Sequence, residues 1–330
     1  MTMTNRNNGN SSRLSSDTAD GAPNSARFHS IDEMQSMCES DGWCIEFCQL
    51  QAGKLTANTV SRQSGDISLL DHRVSLRIEA VGEAPKDHIT VLAPVGRGEF
   101  YANGQLFDSR GIFLLGPGAE LHTVNNSILR VLSMHVPTSL LQLTLPGVLD
   151  AWDVHVLSQT LMIEPGVATV SQMRSLMRAS IHQPITGRQQ TSRTAALTSS
   201  LIAIIEQHAG YAERNHRISA ADAWRIIRRA REFIEANLAE SISISTLSAQ
   251  TSTSLSKLER LFRRELHMSP SQYILARRLA AVNSELRQTN THESQVARVA
   301  LDFGFGHLGR FAGVYRRQFG ELPSETLRAD

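Results

Sequence analysis

The stretch SQVARVALDFGFGHLGRFAGVYRRQFGELP, residues 294–323, contains two helical patterns separated by a turn. Apolar residues recur at three- and four-residue spacings on both sides of FGFG, 303–306, and the spacing breaks at those glycines. Gly320 followed by Pro323 ends the second pattern. Two helices joined by a tight turn predict a helix-turn-helix unit at about 294–319.

A second unit of the same kind is predicted upstream, at about 243–267. Ser243 can cap a short helix around Leu247, TST at 251–253 gives a polar turn, and Ser254 can cap the helix LSKLERLFRREL. The apolar side chains of that helix share one face, so its polar side chains point outward.

The segment between the two units begins with SPSQ, 269–272, which combines a capping box with a proline in the first turn. A helix from there to about residue 288 would be roughly 27 Å long. Such a rod could hold the two units about one DNA turn, roughly 34 Å, apart. The sequence therefore predicts an all-α module with two helix-turn-helix units at 222–330.

Outward side chains of this module are candidate contacts to double-stranded DNA. A helix in the major groove reads base edges near its N-terminus, whereas later Arg and Lys side chains contact phosphates. Ser256, Glu259 and Arg260 are thus candidate base contacts, and a solvated charged face is the alternative. The whole candidate set is Ser256, Lys257, Glu259, Arg260, Arg263, Arg264, Arg278, His307, Gly309, Arg310, Gly313, Arg316 and Arg317.

Charge is distributed unevenly along the chain. From residue 222 onward there are 16 Lys and Arg against 12 Asp and Glu, whereas the preceding part has 17 against 20. A basic C-terminal third is typical of a nucleic-acid-binding module joined to another domain.

The rest of the chain divides into three parts. Residues 1–26 have almost no apolar content, which predicts a disordered tail. Short alternating runs in 27–140, with Asn103-Gly104 as a type I′ hairpin turn, predict an antiparallel sandwich or small barrel. Residues 141–221 have helical periodicity and are interpreted as a helical linker or dimerisation region.

One apolar stripe in the linker leaves two interpretations open. Leu197, Leu201, Ile204 and Ile205 would share one helix face. The stripe either packs on the barrel or forms a homodimer contact.

Several classes of protein are excluded or disfavoured. No apolar run approaches the roughly 20 residues of a membrane span, and the polar N-terminus lacks a signal-peptide core, so we expect a cytoplasmic protein without a membrane partner. Three cysteines, Cys38, Cys44 and Cys48, argue against a disulfide framework. Cys44 and Cys48 would share one strand face, where they could form a thiol sensor, form a metal-binding pair or be inert thiols.

The segment from about Ala230 to Arg328 resembles the AraC/XylS family of bacterial regulators. LERLFRREL (258–266), SPSQYILARRL (269–279) and VALDFGFGHLGRFAGVYRRQFGELPSETLR (299–328) carry this resemblance. It implies two helix-turn-helix units on a long helix, with groove-reading positions at Ser256, Glu259, Arg260 and, in the second unit, near Leu308, Gly309, Arg310 and Gly313. It also implies RNA polymerase as a partner. Polar Ser248, Ser252 and Thr253 depart from the small or apolar residues usual there.

For the N-terminal part the family implies a cupin-like β-barrel that senses a small molecule, hence an α+β two-domain protein. The run HITVLAPVGRGEFYANGQLFDSRGIFLLGPGAELHTV, 88–124, resembles the XylS branch, whose members often activate operons for aromatic-acid breakdown. An aromatic carboxylate needs a cationic partner and an apolar wall. Candidate ligand residues are Trp43, Arg77, His88, Arg97 and His122.

Three alternatives stay open for the function. The inducer could be an amino-acid derivative, an amine or a signal molecule, and the protein could repress rather than activate. An enzymatic cupin is the third, but its metal ligands normally cluster, and His72, His88, His122 and His135 are scattered without a His-x-His pair. We therefore expect a regulator that is not an enzyme and that needs neither a metal nor another cofactor.

Overall fold

The computed structural model describes residues 22–96, 100–107, 109–126, 128–144, 160–163, 167–184, 187–208, 218–288 and 294–328. The N-terminal part is a sheet domain and the C-terminal part is helical, which confirms the predicted two-domain organisation. Among the described helices, none is long and apolar enough to span a membrane.

The described strands of the sheet domain form two antiparallel sheets. In chain order they are β1 (Asn24–Phe28), β2 (Cys44–Gln49), β3 (Ala57–Ser64), β4 (Ile67–Val74), β5 (Ile78–Glu83), β6 (His88–Pro94), β7 (Phe100–Ala102), β8 (Gln105–Phe107), β9 (Ile112–Leu115), β10 (Glu120–Asn125), β11 (Leu129–Pro137) and β12 (Thr160–Ile163). One sheet has the order β1-β3-β4-β11-β6-β9-β12 and the other β2-β5-β10-β7-β8. Since no described strand pairs across the two sheets, the closed cupin-like barrel is not confirmed.

The start of the sheet domain differs from the prediction in two places. β1 begins at Asn24, inside the segment expected to be disordered, because its backbone pairs with β3 from Asn24↔Ser61 to Phe28↔Ala57. Residues in the strand-patterned region then form the helix α1 (Ile31–Ser40), whose N-cap Ser30 accepts a hydrogen bond from the backbone N–H of Glu33 at 3.2 Å.

The predicted hairpin turn at Asn103-Gly104 is present between β7 and β8. Asn103 has φ 47° and Gly104 has φ 77°, and Ala102 pairs with Gln105 across the turn. Positive φ at both central residues is the type I′ geometry that matches the twist of a hairpin.

Helices follow the sheets along the chain. They are α2 (Thr138–Thr144), α3 (Val167–His182), α4 (Gly187–His208), α5 (Ile218–Ala236), α6 (Ile244–Gln250), α7 (Leu255–Glu265), α8 (Pro270–Gln288), α9 (Ser294–Asp302), α10 (Leu308–Phe319) and α11 (Pro323–Thr326).

The apolar stripe of α4 is part of the sheet domain's own core. Leu197, Leu201, Ile204 and Ile205 are buried in one cluster with α3 and with the seven-stranded sheet. This packing is the first of the two interpretations, and it leaves these four side chains unavailable to a second chain.

Local capping fixes the helices of the C-terminal domain where the sequence predicts it. Ser243 accepts from Thr246 N–H at 3.0 Å and Ser254 from Lys257 N–H at 3.3 Å. At the start of α8, Gln272 N–H donates to the Ser269 hydroxyl, and the Gln272 side chain accepts from Ser269 N–H. These reciprocal bonds satisfy N–H groups that a helix start otherwise leaves unpaired.

The polar residues in the turn between α6 and α7 have partners. The Ser248 hydroxyl donates to the Thr253 carbonyl, and the Thr251 hydroxyl donates to the Leu247 carbonyl at 2.9 Å. Ser252 adopts φ 50°. The hydroxyl of Ser248, one of the three departures from the family pattern, is therefore accommodated by a hydrogen bond across the turn.

Candidate DNA interface and ligand cavity

The helix α7 separates a buried face from an exposed one. Leu258, Leu261 and Phe262 are buried against α5, α6 and α8. The polar side chains predicted to contact DNA are all exposed: Ser256, Lys257, Glu259, Arg260, Arg263 and Arg264.

One basic side chain of α7 is held within the chain. Arg264 pairs with the buried carboxylate of Glu265 at 2.5 Å. Arg260 and Arg263, by contrast, make no ion pair with any described residue. They are free to contact an anionic partner.

The helix α10 shows the same division. Phe311 and Tyr315 are buried against α8 and α9. Its predicted contacts are all exposed, together with the preceding N-cap residue: His307, Gly309, Arg310, Gly313, Arg316 and Arg317. A Cβ built at Gly309 would meet nothing within 4 Å, so the fold itself does not require glycine there. The missing side chain leaves room for the backbone of a partner.

Arg278, on α8, was predicted to contact DNA but binds inside the domain. Its Nε donates to the Leu238 carbonyl at 2.9 Å, and a terminal nitrogen donates to the Glu240 carbonyl. The guanidinium lies there because those carbonyls follow the end of α5 and are left without helical partners.

A buried carboxylate joins the two domains. Glu79, on β5, is 1 % exposed and accepts hydrogen bonds from His122 Nε2 at 2.7 Å and from the Tyr273 hydroxyl at 2.8 Å. Arg277 lies 3.5 Å from the same carboxylate and also pairs with Glu235. Burial alone would raise the pKa of Glu79, but the hydrogen bond and charge of His122 and the Arg277 charge lower it to about 2.

Two of the predicted ligand residues belong to this domain contact. His122 binds Glu79, and its ring lies 4.5 Å from that of Trp224 on α5. Arg77 donates to the His267 carbonyl at 3.1 Å, at the end of α7. His122 lies on β10 and Arg77 directly before β5, and each contacts a residue of the C-terminal domain more than 100 positions away, so sequence patterns could not locate these contacts.

The sheet domain contains a cavity of about 140 Å³ between α1 and the two sheets. Most of its wall is apolar or aromatic, with Phe28, Met34, Trp43, Phe47, Leu70 and Val131 among the lining residues. Trp43 is the one predicted ligand residue among those that line it. His88 instead pairs with Asp87 at 2.7 Å near the surface, and Arg97 lies outside the described residues.

Two histidines that were weighed only as metal ligands line the same cavity. His72 Nδ1 is hydrogen-bonded to the Thr59 hydroxyl at 2.9 Å, and His135 contacts the Thr90 and Ser133 hydroxyls at 3.0 and 3.2 Å. Burial lowers the pKa of His72 to about 4 and that of His135 to about 3, so both rings are neutral at pH 7. Their inward position follows from strand alternation with apolar neighbours, which was the available sequence signal.

In the part of the chain that the structure describes, the cysteines belong to no group of three or more His, Cys, Asp or Glu side chains that could hold a metal ion. Cys44 is exposed, whereas Cys48 is fully buried in the cluster between the domains. Burial raises the pKa of Cys48 to about 12, which favours the inert thiol among the alternatives.

Comparison with known proteins concerns mainly the C-terminal domain. A family model described as a helix-turn-helix domain matches residues 247–329. "XylDLEGF operon transcriptional activator 3" of Pseudomonas putida is 43% identical over 100 residues, which are 30% of each chain. The "HTH-type transcriptional regulator GbdR" of Pseudomonas aeruginosa is 39% identical over 92 residues, 28% of this chain and 24% of the relative.

These matches leave most of the relatives uncovered, since the chain spans about 30% of the length of the first Pseudomonas putida relatives. A solved structure, the AraC-like transcriptional activator CuxR, covers 78% of this chain and 94% of its own at 15% identity and a TM-score of 0.42. The relatives named here are transcription regulators and not enzymes. Over residues 247–329 the C-terminal domain thus matches a helix-turn-helix family model, and over about 100 residues it is similar in sequence to these transcriptional regulators.

Proposed function

We propose that the protein is a sequence-specific DNA-binding regulator that activates a catabolic operon in response to a small molecule. One observation carries the DNA-binding part: α7 and α10 each bury an apolar face and expose basic or very small residues that the fold does not use. Such faces suit two neighbouring major grooves. In this proposal α6–α7 and α9–α10 are the two helix-turn-helix units, and α8 sets their separation.

The roles of individual residues follow from their positions on the two helices. Arg260 lies one turn into α7 and Arg310 near the start of α10, so we assign base contacts to both. Arg263 and Arg316, further along, are assigned to phosphates. Arg278 is left out of the interface because the Leu238 carbonyl holds it.

The same proposal gives the N-terminal part a sensing role. Residues 27–140 would form the sensing domain, 141–221 the helical linker and 222–330 the DNA-binding domain. The cavity beside Trp43 is where an effector would bind. Activation of a catabolic operon is proposed because the matched Pseudomonas putida relatives carry the name of an operon activator, and RNA polymerase would then be the partner on the promoter.

Selection from a pool of random DNA duplexes, followed by fluorescence anisotropy, tests the proposal. The wild-type chain should enrich direct half-sites spaced by one or two helical turns. Arg260→Ala and Arg310→Ala should each lose about 1–3 kcal/mol of binding at particular base pairs. Arg73→Ala is the control, because Arg73 is also exposed but lies on the sheet domain. Enrichment of no sequence would refute the proposal, and equal loss on all duplexes would refute the base-reading roles.

A further inference from the structure

The charges around the cavity differ from those that an anionic ligand needs. Among the described lining residues, the ionisable side chains are Cys38, Asp41, His72, Arg73 and His135. Arg73 is the one permanent cation of this set, and Asp41 is its one carboxylate.

Arg73 does not direct its charge into the cavity. Successive residues of a strand point to opposite faces, and on β4 both neighbours of Arg73, His72 and Val74, line the cavity. Arg73 pairs in register with Asn58, which receives a hydrogen bond from Arg27. Arg73 is exposed on that outer face, so its guanidinium points to solvent.

The groups that do face the cavity are neutral or negative. Asp41, at the C-terminal end of α1, borders it, and the imidazoles of His72 and His135 are bound to hydroxyl groups. No described side chain is hydrogen-bonded to Nε2 of His72. As far as the described residues line it, the cavity thus offers a ligand a hydrogen-bonding site without a positive charge directed into it.

The volume of the cavity suits a small ring. An engineered cavity of about 150 Å³ in another protein, lined by apolar side chains, binds benzene. At about 140 Å³ the cavity beside Trp43 is of that size. One six-membered ring with a small substituent fits this volume.

We infer that this cavity selects a neutral monocyclic molecule with one hydrogen-bonding substituent, directed at His72, and that it excludes aromatic carboxylates. The inference rests on the proposed function only in treating the bound molecule as an effector. A buried carboxylate without a cationic partner loses its hydration and gains no compensating ion pair. An amide or hydroxyl of the same size carries no such penalty.

Benzamide and benzoate test this directly, because they have nearly the same shape and differ in charge at pH 7. In isothermal titration calorimetry on the full chain without DNA, benzamide should bind at least about 100-fold more tightly than benzoate. Equal or tighter binding of benzoate would overturn the inference, and so would failure of both to bind.

Tryptophan fluorescence locates the binding site. Benzamide should change the emission of the wild-type chain, Trp43→Phe should abolish that change, and Trp224→Phe, outside the cavity, should keep it. An emission change that persists in Trp43→Phe would place the ligand elsewhere and overturn the inference. A chain that binds benzamide but no DNA would refute the proposed function and leave this inference intact.

Discussion

Replacement of Glu79 by glutamine should weaken the contact between the two domains. The carboxylate accepts two short hydrogen bonds and lies 3.5 Å from Arg277, all away from water. Glutamine keeps the size of the side chain but removes the charge, and its NH₂ group would face donors. Hydrogen bonds to charged groups contribute about 1.5–3 kcal/mol each, and loss of one member of a buried ion pair costs about 3–5 kcal/mol. Arg277 keeps Glu235, so we expect a loss of about 3 kcal/mol in the free energy of unfolding.

The same contacts make the stability of the fold depend on pH. The pKa of Glu79 falls from an ordinary value of 4.5 to about 2 in the folded protein, which corresponds to about 3 kcal/mol. A depressed pKa stabilises the fold above the unfolded-state pKa, and this stabilisation is lost as the pH falls from about 4.5 towards 2.

Urea unfolding of the wild type and of Glu79→Gln at several pH values from 7 to 3 measures the loss of stability and its dependence on pH. The difference between the two free energies of unfolding should be largest at pH 7 and shrink below pH 4.5. Glu120→Gln is the matched control, because Glu120 is 75 % exposed, pairs with Arg228 at 3.6 Å and should contribute less than about 1 kcal/mol. A difference below about 1 kcal/mol for Glu79→Gln, or one that stays constant with pH, would refute this account of the buried carboxylate.

Three further outcomes are expected. Gly309→Asp should leave the melting temperature unchanged, because a side chain at this position meets nothing in the fold. The added negative charge should lower the affinity for DNA at least about tenfold in fluorescence anisotropy. An unchanged affinity would exclude α10 from the interface. Leu201→Ala should lower the free energy of unfolding by about 2–5 kcal/mol in urea, because Leu201 of α4 is fully buried against α3 and the sheet. A loss near zero would mean that α4 does not pack there. Ser254→Ala should lower the free energy of unfolding by about 1 kcal/mol in the same assay, since it removes the cap of α7. Its control is Ser256→Ala, within the exposed face of α7, which should lower this free energy less.

The C-terminal helices could be predicted from sequence because their signals are local. Ser254 caps a helix whose apolar residues follow within twelve positions, and the exposed face is what remains after that stripe is buried. The same reasoning could have found α1, where Ser30 and Glu33 form the start of a helix, but the surrounding strand pattern concealed it.

The ligand residues could not be predicted in the same way. Arg77 and His122 have the residue types expected of a carboxylate site, yet each also contacts the other domain, and only the tertiary fold brings these residues together. Strand alternation indicates which residues share a face but not which face encloses a cavity. From the sequence, His72 and His135 were therefore considered only as metal ligands, whereas in the structure they line the cavity.

The dependence of DNA affinity on salt tests the central claim, that exposed basic side chains of both α7 and α10 contact one DNA duplex. About five contacts to phosphates would lower the association constant about 500-fold between 50 and 200 mM salt. Anisotropy titrations of the wild-type chain with its selected duplex should show this slope, and a variant with both Arg263→Ala and Arg316→Ala should lose about two contacts from it. An affinity that does not depend on salt, or a slope that the double variant leaves unchanged, would contradict the claim.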